Sequence, residues 1–204
     1  MLVIASDGSG ESDKSDQAAG FGVVMHDTDS GWRASFNGYI AKFNVASAKI
    51  VNGKMIFEYL EQSAPASNNR GELSGFLFSI LLAKERNAAE FVSVMDSTYC
   101  INTFKVGGWL ENWIKKDIVN TKKNVDLIML IYTHLLDIKV HFFHQRAHLP
   151  KATIQRLNGL DRLYADLNAL ADTEAETGKI TARTINIQPK FVVAYPRNTK
   201  SSRN

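Results

Sequence analysis

The chain predicts an α/β fold: a mixed five-stranded sheet flanked by helices. Three features point there, namely short strand-like apolar runs, longer runs with apolar residues at helical spacing, and their order along the chain. That order is three strands, a helix, a strand, a group of helices, a strand and a long helix. A helix between two strands is a crossover that makes parallel pairs, whereas tight turns among the first three strands make antiparallel ones. Ligands in such sheets favour the strand ends.

Leu2 to Ala5 form a short apolar run that ends at Asp7-Gly8-Ser9-Gly10, where small residues let something approach the backbone closely. Glu11 to Asp16 is polar and reads as a loop, with Glu11, Asp13 and Asp16 solvated. Gly20 to Met25 is the second strand, Asp27 to Gly31 a turn, and Trp32 to Ile40 the antiparallel return, with Trp32, Ala34 and Phe36 on one face. Within residues 41–67, Val51-Asn52-Gly53-Lys54 is a hairpin signal; this insertion either extends the sheet or forms a separate flap. Leu73, Phe76, Leu77, Ile80 and Leu81 mark a helix from about Arg70 to Arg86 with one buried face. Phe91 to Met95 is the fourth strand, stopped by Asp96-Ser97. Trp109 and Trp113 follow one helical turn apart, and Asn124 to Leu136 reads as a core helix. Ile138 to Phe143 is the last strand, and Ile154 to Glu176 a long amphipathic helix carrying Leu157, Leu160, Leu163, Leu167, Leu170 and Ala171.

A chain of 204 residues with 45% hydrophobic composition supports one core, so a single domain over 1–177 with an extension over 178–204 is expected. The formal charge of +3 excludes an overwhelming cationic field, leaving nucleic-acid contact to local clusters. One such cluster is the tail, with Lys190, Arg197, Lys200 and Arg203 and no acid after Glu176; a solvated terminus and a contact arm suit it equally. The single Cys100 excludes an internal disulfide and indicates a reducing compartment. No run approaches the length of a membrane span or a signal peptide, so a cytoplasmic protein is expected.

The stretch Asn68-Asn69-Arg70-Gly71-Glu72-Leu73 places a carboxylate in the first turn of an apolar helix. With Asn69 as the N-cap, Glu72 stands at the capping-box position, which accounts for the helix start. It leaves unexplained Asp7 and Asp96, each at the end of an apolar strand. Adjacent strands would put those two roughly 5 Å apart. Three such carboxylates suggest a metal site, and hard Mg²⁺ or Mn²⁺ wants oxygen ligands.

These pieces together resemble ribonuclease H of type 1, in its bacterial and phage form. The resemblance rests on Asp7-Gly8-Ser9 after the first strand, Asn68 to Leu73 opening the first helix, and Asp96-Ser97-Thr98-Tyr99 ending the fourth strand. It continues through Trp109-Leu110-Glu111-Asn112-Trp113, Asn124-Val125-Asp126-Leu127 and Asn168-Ala169-Leu170-Ala171-Asp172, and spans residues 1–175. It implies a ribonuclease H-like fold with four metal-binding catalytic carboxylates, Asp7, Glu72, Asp96 and Asp172, and a mobile histidine, His148. Asp172 is preferred over Asp161 and Asp166 because Asn168 stands four residues before it and Ala171 adjoins it; Asp166 reads as solvated or paired with Arg162. The insertion at 41–67 and the 23 residues between His148 and Asp172 depart from the short bacterial enzymes.

The implied activity is hydrolysis of the RNA strand of an RNA·DNA hybrid by two Mg²⁺ ions, with Mn²⁺ as a substitute, leaving 5′-phosphate and 3′-hydroxyl ends. Four carboxylates packed without metal repel one another, so at least one should have a raised pKa. Family analogy places Gly10, Asn68 and Asn69 on the RNA 2′-hydroxyls, and Trp109, Trp113, Lys115 and Lys116 on the DNA backbone. For Trp113 a packing role is slightly favoured. His148 has the implied role of proton shuttle or of assisting product release. A zinc cluster of His141, His144 and His148 is discounted because the three straddle a strand end and lack cysteine partners. Two alternatives remain, a hybrid-binding module without hydrolysis and a DNA nuclease or resolvase of the same fold. A standalone protein is expected rather than a fragment of a reverse transcriptase, since Met1 directly precedes the first strand, and a monomer is expected.

Overall fold

The structure is a computed structural model and describes residues 1–10, 18–185, 187, 189 and 190. The predicted loop from Glu11 to Asp16 and the tail residues Arg197, Lys200 and Arg203 lie outside the described residues.

The chain runs through β1 (Leu2–Ser9), β2 (Ala18–Asp27), β3 (Arg33–Ala41), β4 (Phe43–Val51), β5 (Lys54–Ser63), α1 (Asn68–Glu85) and β6 (Glu90–Met95). It continues through α2 (Thr98–Phe104), α3 (Trp109–Lys115), a single 3-10 turn over Val119–Thr121, α4 (Val125–Leu135), β7 (Lys139–His144), α5 (Lys151–Ile154) and α6 (Gly159–Thr184). Five strands form the expected mixed sheet in the order β3-β2-β1-β6-β7. The first three pair antiparallel, while β1 with β6 and β6 with β7 are parallel. The insertion is a separate two-stranded sheet of β4 and β5. Asn52 and Gly53 turn it with φ of 50° and 72°, the left-handed pair that a two-residue hairpin requires.

The sheet is covered on both faces. Ile4, Phe21 and Val23 face a core built with Leu73, Phe76 and Ile80 of α1 and Leu127 and Ile131 of α4. Val3, Ala5, Val24 and Val94 face Tyr164, Leu167 and Ala171 of α6. Helix α1 is therefore buried nearly all round, not on one face as its spacing suggests; every residue from Arg70 to Ile80 is buried. The reason is that α1 lies between the sheet, α4 and the inserted hairpin.

Two helix boundaries differ from the sequence reading. Ser67, not Asn69, caps α1, its hydroxyl accepting from the Arg70 backbone N–H at 3.4 Å. Glu72 thus lies beyond the capping box and is free for other work. The long helix expected from Ile154 is split: α5 closes after one turn, and α6 starts at Gly159, whose φ of 55° reorients the backbone. Helix α6 then continues to Thr184, past the expected end at Glu176. Its buried face carries Tyr164, Leu167 and Asn168 and then narrows to small residues, Ala171, Ala175, Gly178 and Ala182, while Leu160 and Leu170 are exposed. Small residues are needed because α6 meets the sheet at backbone contact: Gly20 and Gly22 have no room for a Cβ against Ala175 and Ala171, nor Gly178 against Gly38.

Arg70, 1% exposed, makes a two-pronged ion pair with Asp126 at 2.9 and 2.8 Å and donates to the Phe43 carbonyl at 2.9 Å. Asp126 also accepts from the Val45 backbone N–H at 2.8 Å. One buried pair thus ties α1, α4 and the inserted hairpin together. Removing one partner leaves an uncompensated buried charge, so Asp126→Ala should lower the unfolding free energy by about 3–5 kcal/mol in urea denaturation. Glu90→Ala, at an exposed ion pair, should leave the midpoint close to that of the unaltered protein.

Candidate active site

Sheet register positions the first two carboxylates. Ala5 pairs with Val94 across the parallel β1–β6 ladder, so Asp7 and Asp96, each two residues further on, end neighbouring strands at the same level. Both continue the alternation of Ala5 and Val94 and so fall on the α6 side of the sheet. Glu72 arrives from α1 because the opposite side of β1 is bare at Gly8. A Cβ there would lie 2.7 Å from the Gly71 carbonyl carbon, and a Cβ on Gly71 would crowd the Gly20 carbonyl oxygen and lie 3.1 Å from Gly8 Cα. Glycine on both sides lets the first turn of α1 rest directly on the end of β1.

The outcome is a trio: Asp7, Glu72 and Asp96 each offer a ligand oxygen, all within 4.8 Å of one another. It is the one such group of three or more potential ligands among the described residues. Asp7 and Glu72 are both 5% exposed. Burial pushes the Asp7 carboxyl up to about 7, and the Asp96 charge adds to it; the Gly8 backbone N–H, donating at 2.7 Å, opposes the shift. Burial raises Glu72 well above the usual carboxylate range, with the Asp7 and Asp96 charges acting in the same direction. Asp96 is raised by burial, with His148 opposing. An all-oxygen donor set whose charges lack a cationic partner within it fits a hard divalent ion.

Asp172 lines the same cleft, of about 340 Å³, without joining the tight trio. His148 Nδ1 lies 3.4 Å from an Asp172 carboxylate oxygen, on an exposed turn with φ of 49°. Asn68 and Asn69 also line the cleft, and the Asn68 amide donates to Glu72 at 3.3 Å. Gly10 packs against the start of α1, where a Cβ would lie 2.7 Å from the Asn68 nitrogen. Trp109, Trp113, Lys115 and Lys116 are not in the cleft; they belong to α3 and the residue after it. Trp109 packs at a tilt against Trp113, with ring centres 6.1 Å apart, and against Tyr99 at 6.2 Å, and Tyr99 does line the cleft. Trp113 is half-buried, with the Lys122 ammonium 5.4 Å from its ring centre. Lys115 and Lys116 are exposed. Asp166 is half-buried and lies 3.8 Å from Arg162. His141 contacts Glu90 and His144 contacts the Asp96 carbonyl oxygen, so these histidines diverge. Sequence reasoning passed over Tyr99 and the Arg70–Asp126 pair as individual residues; one long polar side chain inside an apolar helix, Arg70, was the available signal.

The RNase H family model matches residues 1–179. The chain belongs to the ribonuclease H family. A ribonuclease H from a Sulfurovum species is 40% identical over 109 residues, which cover 53% of this chain and 71% of that protein. Among solved structures, an N-terminal RNase H domain from Mycobacterium tuberculosis, studied as a fusion with maltose-binding protein, has a TM-score of 0.52 at 18% identity, covering 89% of this chain and 95% of its own. LC11-RNase H1, solved in complex with an RNA/DNA hybrid, has a TM-score of 0.53 at 14% identity, covering 90% of this chain and all of its own. RNase H1 from Halobacterium salinarum has a TM-score of 0.51 at 16% identity, covering 88% and 98%. These structures share the ribonuclease H fold, and family membership places the chain among hydrolytic nucleases. No helix among the described residues is long and apolar enough to cross a membrane.

The raised carboxyls set a pH dependence. A folded-state pKa above the unfolded value contributes stability that is present at low pH and is lost as pH rises through the folded value. For Asp7 that loss passes through about 7. Without divalent ions, the thermal midpoint should therefore fall between pH 5 and pH 8. Mg²⁺ at pH 8 should restore it, and Asp7→Asn should flatten the slope; a flat profile in the unaltered protein would count against the buried trio.

Proposed function

We propose that this protein is an endoribonuclease that hydrolyses the RNA strand of RNA·DNA hybrids by a two-metal-ion mechanism, leaving 5′-phosphate and 3′-hydroxyl ends. The observation that carries the reading is the buried Asp7–Glu72–Asp96 trio in a chain of the ribonuclease H family. The hybrid bound to LC11-RNase H1, which shares the fold, supports the choice of substrate. Asp7, Glu72 and Asp96 would hold the ions, with Asp172 as a further ligand. When bound there, Mg²⁺ or Mn²⁺ supplies Lewis acidity that activates water and neutralises charge on the phosphoryl and leaving oxygens.

The chain's own groups do the rest. His148, exposed beside Asp172, is placed to exchange a proton with solvent and deliver it to the departing 3′-oxygen. Asn68, Asn69 and Gly10 at the start of α1 meet ribose 2′-hydroxyls, which distinguish RNA from DNA with small polar contacts. Asn68 also steadies Glu72 through its amide. Trp109, Trp113, Lys115 and Lys116 receive the DNA strand's backbone on the α3 side, where Tyr99 links the aromatic cluster to the cleft. We read the protein as a cytoplasmic monomer, in keeping with its single buried cysteine.

The test compares a labelled hybrid with single-stranded RNA and duplex DNA in Mg²⁺, using the unaltered protein and Asp96→Asn. The unaltered protein should cut only the RNA of the hybrid, and the variant should bind hybrid without cutting it. Cleavage of duplex DNA, or hybrid binding without cleavage in either metal, would contradict the reading.

A further inference from the structure

Beside the carboxylate cleft lies a second recess of about 250 Å³. Asp96, His148 and Asp172 line both, while Arg146, Lys151 and Asn168 line the recess alone. It lies between the end of β7, α5 and α6, and Tyr99, which lines the cleft, does not line it. Arg146 and Lys151 are exposed at its edge, and neither forms an ion pair among the described residues, although two carboxylates share the recess. Leu149, Ile154, Ala165 and Ala169 make most of its wall apolar, and Gln145 and Asn168 are its buried polar side chains, the Asn168 carboxamide oxygen without a hydrogen-bond partner. Lys151 is held there by α5, the short helix in the extra length between His148 and α6.

Two unpaired cations at a recess, one wall of which is the candidate catalytic centre, suit an anionic group on a ligand already held in that centre. We propose that this recess binds a phosphodiester of the cut RNA strand adjacent to the scissile one, with Arg146 and Lys151 as its charge partners. The proposal rests on the hybrid-hydrolase reading. The strand would then be gripped on both sides of the reacting bond, by the start of α1 within the cleft and by α5 beyond it. Arg offers a planar fork to a phosphate and Lys a mobile point charge, a pairing that tolerates a backbone sliding through register.

The test uses the full chain carrying Arg146→Gln and Lys151→Gln together, both at exposed positions. KM for the hybrid should rise roughly tenfold with kcat nearly unchanged, the signature of binding lost equally from ground and transition states. The slope of log Kd against log salt, measured in the Asp96→Asn background, should become shallower by about one to two. A neutral methylphosphonate at the RNA position next to the scissile phosphate should weaken binding to the unaltered protein, and should weaken binding to the double variant no further. Unchanged KM and salt slope in a variant that still cuts hybrid would overturn the subsite, as would undiminished sensitivity of the variant to the methylphosphonate. Failure of the unaltered protein to cut hybrid at all would instead overturn the parent reading, and the subsite with it.

Discussion

Backbone contact at Gly8, Gly20 and Gly71 is the constraint on which the site depends. A side chain at Gly8 or Gly71 would collide with the neighbouring main chain, so no other residue lets α1 start directly on the end of β1. That contact converts a sheet register into a three-dimensional site. Register alone levels Asp7 with Asp96 on parallel strands, but it takes the approach of α1 to bring Glu72 within 4.8 Å of both. A second set of contacts, in which Gly20 and Gly22 receive α6, brings Asp172 over the same strand ends from the other face. Two helices on opposite faces are thus aimed at one point by glycines on two adjacent strands.

The molecule handles two groups of buried charge in opposite ways. Arg70 and Asp126 neutralise one another, and the hairpin backbone at Phe43 and Val45 fills further hydrogen-bonding positions. This pair is structural, linking the insertion to the helices beneath it. The Asp7–Glu72–Asp96 trio has no such partner, and its carboxyls are driven upward by burial and by one another. Burying like charges together destabilises a fold unless something arrives to neutralise them. The same arrangement that weakens the metal-free protein at higher pH is what gives a divalent ion a reason to bind.

Much of this was legible in the sequence. Apolar runs with period two or helical spacing revealed the strand and helix order, and Asp7 and Asp96 stood out because each ends a strand. The Asn52-Gly53 turn marked the hairpin, though its placement as a separate sheet depends on Arg70 and Asp126, residues far apart in the chain that no local pattern connects. The cap of α1 was misread because Ser67 and Asn69 are both good capping residues and only the tertiary fold selects between them. The extent of α6 was misread for a different reason. Leu167 and Ala171 lie on the buried face as their spacing suggests, but where the helix rests on glycines it buries Ala175 and Gly178, and Leu160 and Leu170 turn outward. Arg146 and Lys151 drew no notice because isolated cations in a polar stretch resemble solvated ones until α5 and α6 enclose a recess between them.

Close approach at Gly71 is what creates the metal site. The direct measurement is a Mn²⁺ titration followed by electron paramagnetic resonance, comparing the unaltered protein with Gly71→Ala, each first shown by circular dichroism to be folded. A methyl group at Gly71 must push the start of α1 away from the Gly20 carbonyl of β2 and the adjoining end of β1 and carry Glu72 with it, so Mn²⁺ affinity should fall by roughly tenfold or more in a folded variant. Equal affinity in the two folded proteins would contradict it, because the trio would then not depend on the contact that is held to assemble it.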